Sequence, residues 1–126
     1  MAAAGTRFQR AAGVADDPER FAGDILAQAR HQLPEPLVQA VTATSAAAVG
    51  WLAERVSARV DLISQSFAGH SVPRLHATGE RGGASLVTDL ARVASRHQRI
   101  TVRTGWIAEQ LERGDEGVRL TARPER

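Results

Sequence analysis

The 126-residue chain contains no cysteine and no lysine, and aromatic residues make up only 4% of it. The absence of cysteine excludes disulfides and thiolate chemistry, and it fits a cytoplasmic protein. The absence of lysine excludes a Schiff base, a lysine general base and the lysine of a P-loop. With so few aromatics, alanine and small aliphatics must fill the core, which favours close helix contacts over large anchors. No unbroken apolar run of about 18 residues is present, so no membrane-spanning helix is expected. The opening MAAAGTRFQR has no apolar h-region, so no secretory signal is expected either. All sixteen basic side chains are arginine, which lifts the isoelectric point to near 10.8 while the net charge is only +2. Those arginines are interspersed with acids and form no basic stripe, so nucleic acid is not an expected partner.

What is present suffices for one domain: 43% of the residues are hydrophobic. DDPERFAGDILAQARHQ predicts a helix that starts sharply. Asp17 can cap it, Pro18 fits its first position, Glu19 favours the positive end of the dipole, and Phe21, Ile25, Leu26 and Ala29 make an apolar stripe. LPEPLVQAVTATSAAAVGWLAERV predicts a second helix after Pro34. Leu37, Val41, Ala48 and Leu52 lie on one face, with Val38, Val49 and Trp51 beside it. Residues 60–65 predict a short strand, and GASLVTDLARVASRH a third helix with Leu86, Val87, Leu90, Val93 and Ala94 as its apolar face. ITVRT reads as a strand by alternation, and WIAEQLE and VRLTA as a hairpin around RGDEG. Residues 1–15 and 123–126 are expected to be irregular. The fold class is therefore α/β (α+β in isolation): three helices and a small strand set with a C-terminal hairpin, like part of a domain whose other strands lie elsewhere.

The irregular stretch FAGHSVPRLHATGERGGASLV concentrates the candidate chemistry. His70 and His76 lie six apart with no acid at ligand spacing beside them, short of the three or four ligands a zinc site needs, so no metal is expected. Ser71 follows a histidine, and Ser66 and Ser85 flank the loop, but no G-x-S-x-G elbow accompanies them. TGERGGAS runs into a helix, so N–H groups near Gly82, Gly83 and Ala84 offer an anion site, against the alternative that the glycines only allow a sharp turn. G-x-G-x-x-G is absent. Arg74 and His76 can donate to an anionic or carbonyl-bearing ligand, or can tie the loop to its own carbonyls, and local chemistry leaves both open.

Four segments in order resemble one family. A small-residue stretch (Ala3, Ala4, Gly5) precedes D-x-P-E-x-F-x-x-D, here Asp16 to Asp24. A helix ends in Trp51 and Leu52. G-[GH]-S-x-x-R-x-H follows as Gly69 to His76, and then come a Gly-led helix and a strand pair. This order is similar to the FAD-dependent fumarate reductase and succinate dehydrogenase flavoproteins, a group that includes L-aspartate oxidases and 3-ketosteroid dehydrogenases. The resemblance implies that residues 1–126 form a single partial FAD-binding domain of the glutathione-reductase-like type. The pyrophosphate-binding G-x-G-x-x-G is expected upstream of Met1, and the substrate clamp with its proton-transfer residues downstream of Arg126.

FAD is the implied cofactor and a small molecule the implied substrate, with hydride passing between the flavin and a substrate C–C bond. Carried over, Ala3, Ala4 and Gly5 pass close to FAD. Gly69, His70, Ser71, Arg74 and His76 form the flavin-side loop, and the backbone of Trp106 and Ile107 meets the adenine. VSARVDLISQS departs from the pattern by lacking its G-V turn. The resemblance implies no catalytic residue in this chain and no activity by the chain alone. The alternatives are a non-catalytic helical interaction module that self-associates through unpaired strand edges or binds a protein partner, and a gene fragment without function.

Overall fold

The computed structural model describes residues 1–79, 82–115 and 117–125. The centre of TGERGGAS (Glu80 and Arg81), the tip of the RGDEG turn (Glu116) and Arg126 lie outside the described residues. Two compact units divide the chain, residues 1–93 and 94–126.

The first unit opens on an extended segment that leads into α1 (Arg7–Ala11), where an irregular stretch was expected. The helix is short but firmly started. Thr6 accepts from the Gln9 N–H while the Gln9 side chain reaches back to the Thr6 N–H, a reciprocal capping box. The helix α2 (Pro18–Gln28) begins as expected, with Asp17 capping the Arg20 N–H and Pro18 in the first turn. It ends earlier than expected. Arg30 and His31 take left-handed backbone angles (φ 49° and 57°), and the His31 N–H closes on the Leu26 carbonyl, so His31 sits in a turn and not in a helix.

The 21-residue α3 (Glu35–Arg55) packs along α2 and turns Val38, Thr42, Ser45 and Val49 inward. The expected face is displaced: Leu37, Val41 and Ala48 are exposed, and Leu52 is half-buried. Thr42 and Ser45 qualify for the interior because their hydroxyls bond carbonyls one turn back, at Gln39 and Thr42. By length and mean hydropathy (1.2), α3 would pass for a spanning helix. It contains no long unbroken apolar run, because Thr, Ser and Gly punctuate the sequence.

Two three-residue strands follow, β1 (Val60–Leu62) and β2 (His76–Thr78), paired antiparallel with Leu62 opposite His76. The expected strand at 60–65 stops at Leu62, and β2 emerges from the stretch read as wholly irregular. On the other side of β2 the N-terminal segment pairs antiparallel through Ala2 and Leu75. The helix α4 (Gly83–Arg96) runs as expected and lays Leu86, Leu90 and Val93 on a core of Ala3, Val49, Val56, Ala58 and Val60; Val87 faces water. The last turn of α4 crosses the boundary between the units.

The second unit is the hairpin of β3 (Trp106–Gly114) and β4 (Gly117–Pro124), with Leu111 opposite Leu120 and an irregularity between Ala108 and Gln110. The expected strand ITVRT is not formed; alternation gives a strand no partner to hydrogen-bond. The tail is more regular than expected, since β4 takes in Arg123 and Pro124 and the Glu125 N–H closes on the Gly105 carbonyl.

Candidate functional site

The two most distinctive motifs lock onto each other. Arg74, 1% exposed, is gripped by both ends of the Asp16–Asp24 motif. Its Nε and Nη2 donate to the two Asp16 oxygens at 2.8 and 2.7 Å, and Nη1 donates to Asp24 Oδ2 at 2.6 Å. The guanidinium carbon lies 4.5 Å from the centre of the Phe21 ring, a favourable cation–π position. Asp16 precedes the α2 cap, while Phe21 and Asp24 stand three apart on one face of α2, so a single helix start presents two anions and an aromatic face. Asp24 also accepts from the Ser71 N–H and hydroxyl, each at 2.8 Å, which ties down the start of the loop.

Both carboxyls titrate low. Burial alone would push Asp16 up, but the Arg74 and Gln9 hydrogen bonds and the Arg74 charge outweigh it and hold the carboxyl below its ordinary range. Burial likewise opposes ionisation of Asp24, yet the Ser71 N–H and the Arg74 guanidinium bring it down to about 2.

A second cluster adjoins the first. Gln9 Nε2 donates to Asp16 Oδ2 at 2.8 Å and to the Pro73 carbonyl at 2.9 Å. His76 is buried with Nδ1 at 3.0 Å from the Arg74 carbonyl and Nε2 at 2.9 Å from Thr6 Oγ1. A carbonyl can only accept, so Nδ1 carries the proton and Nε2 accepts from Thr6. Burial pushes the imidazole below its ordinary 6.5, against the stabilising bond to the Arg74 carbonyl. The Arg74 carbonyl also takes the Ala3 N–H at 3.1 Å, and the Ala4 N–H bonds Ser45 Oγ at 3.2 Å.

Ala3, Ala4, Gly5 and the 69–76 loop are therefore brought side by side. Their accessibility divides them. Ala3, Ala4, Arg74 and His76 are buried, and the two polar side chains among them are already engaged inside the fold. Of the two roles left open for Arg74 and His76, tying the loop down is the one seen, with carboxylates as the main acceptors for Arg74. Gly5 and His70 are half-buried and Ser71 is exposed. Gly5 has φ +72°, and at Gly69 (φ +84°) an added Cβ would fall 2.8 Å from Gln28 Cγ, so the loop runs flush against the end of α2. Ser71 Oγ donates to Asp24, a carboxylate held down to about 2 and so too weak a base to activate it, and accepts from Arg20 Nε at 3.0 Å. At the start of α4 the hydroxyls of Thr78 and Ser85 meet at 2.6 Å, both also directed at the Gly82 carbonyl. A cleft of about 240 Å³ opens there between Met1, β2 and Gly83. Trp106 and Ile107 lie in the hairpin unit, partly exposed on β3.

Sequence reasoning passed over Thr6, Gln9, Asp16, Phe21 and Asp24 as working residues. Thr6-x-x-Gln9 was readable as a capping-box pattern. The partners of Arg74 were not readable, because they lie 50 and 58 residues away.

A model of the family described as FAD binding domain matches residues 1–122, and the chain belongs to that family, whose cofactor is FAD. Among solved structures it is similar to a flavocytochrome c3 fumarate reductase in its open conformation, with a TM-score of 0.78 and 32% identity over 92% of this chain. The match takes in 20% of that reductase, so the chain spans about one-fifth of its length. The mixed helix-and-strand architecture is that of a partial FAD-binding domain.

Proposed function

We propose that residues 1–126 contribute one wall of the FAD site of an oxidoreductase and are not active alone. The observation that carries this reading is the pairing of the Ala3–Gly5 stretch with the 69–76 loop, made where the Ala3 N–H meets the Arg74 carbonyl and held by the Arg74 and His76 networks, in a chain of the FAD-binding family. A Cβ at Gly5 would face the Asp16 carbonyl and one at Gly69 the Gln28 side chain, so these glycines serve the turns themselves, and the groups left to meet a flavin are the half-buried backbone there and the exposed Ser71. Gly5, Gly69, His70 and Ser71 would hold the flavin side through backbone groups and the exposed hydroxyl, and Trp106 and Ile107 would meet the adenine. Ala3, Ala4, Arg74 and His76 act behind that surface, supporting it and keeping water from its rear. When bound, the flavin supplies hydride exchange with a substrate carbon. No described side chain is placed as a proton donor, and no G-x-G-x-x-G turn is present to cradle a pyrophosphate.

Titration of the 126-residue chain with FAD, followed by amide chemical shifts, tests this. Weak binding, with a Kd in about the millimolar range, is expected to shift Gly5, Gly69, His70 and Ser71. A sub-micromolar complex would overturn the reading of the chain as only one wall of the site. Shifts elsewhere, or none at millimolar FAD, would overturn the wall itself.

A second reading, self-association, has a specific observation in its favour. Leu111, Val118 and Leu120 on the hairpin are 57–71% exposed, and each hairpin strand has one edge unpaired among the described residues. Light scattering during size exclusion tests it: concentration-dependent dimers support it, and a clean monomer at high concentration removes it.

A further inference from the structure

We propose that His76 is a positioning residue: its neutral imidazole clamps the Ala3–Gly5 stretch onto β2, and protonation of the ring releases that stretch. The ring controls both ends of the segment. Nδ1–H holds the Arg74 carbonyl, which also receives the Ala3 N–H, and Nε2 holds the Thr6 hydroxyl, which also caps α1 by accepting the Gln9 N–H. The imidazole edge packs on Phe8, with centroids 5.7 Å apart.

Protonation turns Nε2 from acceptor to donor. Thr6 Oγ1 must then accept twice and turn its own hydrogen towards Gln9 Oε1, 3.5 Å away and already bonded to the Thr6 N–H. A 2.9 Å bond is exchanged for a poor one, and a cation is left in a buried position. The surrounding charges do not offset it. The Met1 ammonium lies on the His76 carbonyl, and Arg7 on α1 sits over Phe8. Arg10 on α1 bonds the Gly5 carbonyl. The Arg74 guanidinium is paired with Asp16 and Asp24, and Asp61 on β1 is exposed and opposite Ala77. Among the described residues no carboxylate hydrogen-bonds the ring. Burial already disfavours its protonation.

The consequence for a cofactor rests on the reading above, but the clamp is a property of this chain, and its test uses no FAD. Amide exchange of Ala3, Ala4 and Thr6 is measured by NMR from pH 8 to 4, corrected for intrinsic rates, beside the titration of the His76 ring. As pH falls below the ordinary 6.5, exchange should quicken by up to about tenfold per pH unit in step with the ring. The Ser71 amide, held by Asp24, should stay protected. Thr6→Ser should keep the profile, and Thr6→Val should exchange fast at every pH. If Thr6→Val does not fold, wild type and Thr6→Ser decide the matter. Exchange that ignores the ring's titration, a Thr6→Val variant with the wild-type profile, or Ser71 loosening in the same window would each overturn the clamp. None of these results bears on FAD, whose titration fails or succeeds separately.

Discussion

Arg74 and Arg123 each meet a carboxylate oxygen at 2.7 Å, yet the two pairs occupy opposite environments. Arg74 and Asp16 have fully buried side chains, whereas those of Arg123 and Glu109 are 51% and 46% exposed. The same chemistry therefore does different work. In the first unit, charge removed from water must be matched atom by atom, so the Arg74 network fixes one arrangement of loop, helix and N-terminal segment. In the hairpin, water competes with the pair and leaves its geometry nearly free of consequence.

The largest expected effect follows from this contrast. Arg74→Met leaves Asp16 buried without its partner and should cost about 3–5 kcal/mol. Urea denaturation would show it as a large fall in midpoint, or as a chain that does not fold at all. A loss below about 1 kcal/mol would mean that Asp16 is solvated in solution and the contrast with Arg123 is false.

Acid should divide the first unit's stability into two windows. Asp24 is depressed from 3.8 to about 2. Its contribution of about 2 kcal/mol is therefore present above pH 3.8 and lost as pH falls towards 2, and Asp16 follows the same sign. His76 is depressed below 6.5, so its stabilisation is full above that pH and declines as pH falls through the folded value. Two acid steps are expected in wild type, with the lower one reduced in Asp24→Asn. A single step common to both would mean that the clusters unfold together.

Much of this architecture was legible and some was not, for physical reasons. The start of α2, the body of α4 and the hairpin carry local signals: a cap and a proline, a clean apolar stripe, and a glycine-bearing turn between alternating strands. The inward face of α3 was misplaced because Thr42 and Ser45 count as polar, yet they bury their hydroxyls on the helix's own carbonyls. β2 is three residues long and exists by pairing on both sides, which no local pattern records. Of the candidate site, the family resemblance named two segments that the fold pairs, at Ala3 and Arg74. What their residues do to one another depends on the approach of α2 to a loop some fifty residues away.

A smaller effect should come from Gly69→Ala. The left-handed φ of +84° costs a side chain about 1 kcal/mol, and the new methyl meets Gln28 Cγ at 2.8 Å. Gln28 is exposed and can swing aside, so the backbone term dominates. The thermal midpoint should fall modestly, and the Ser71 amide should exchange faster. An unchanged midpoint would show that the loop is not held flush against α2.

The smallest effect belongs to the hairpin. Arg123→Gln removes a bond to Glu109 that water can replace, and should cost less than about 0.5 kcal/mol. It should cost nothing measurable in 1 M salt, where charges are screened within roughly 3 Å. The buried Arg74 pair should be nearly indifferent to the same salt. The value of this measurement lies in what its failure would mean. A cost above about 1 kcal/mol that persists in salt would require Arg123 to be shielded from water in solution. Among the described residues the two strands offer no such cover, since every residue in them except the half-buried Ala122 is exposed. The cover would then have to come from a second molecule on the face of β4 that carries Arg119, Thr121 and Arg123, opposite Val118 and Leu120, and self-association would be moved to that face.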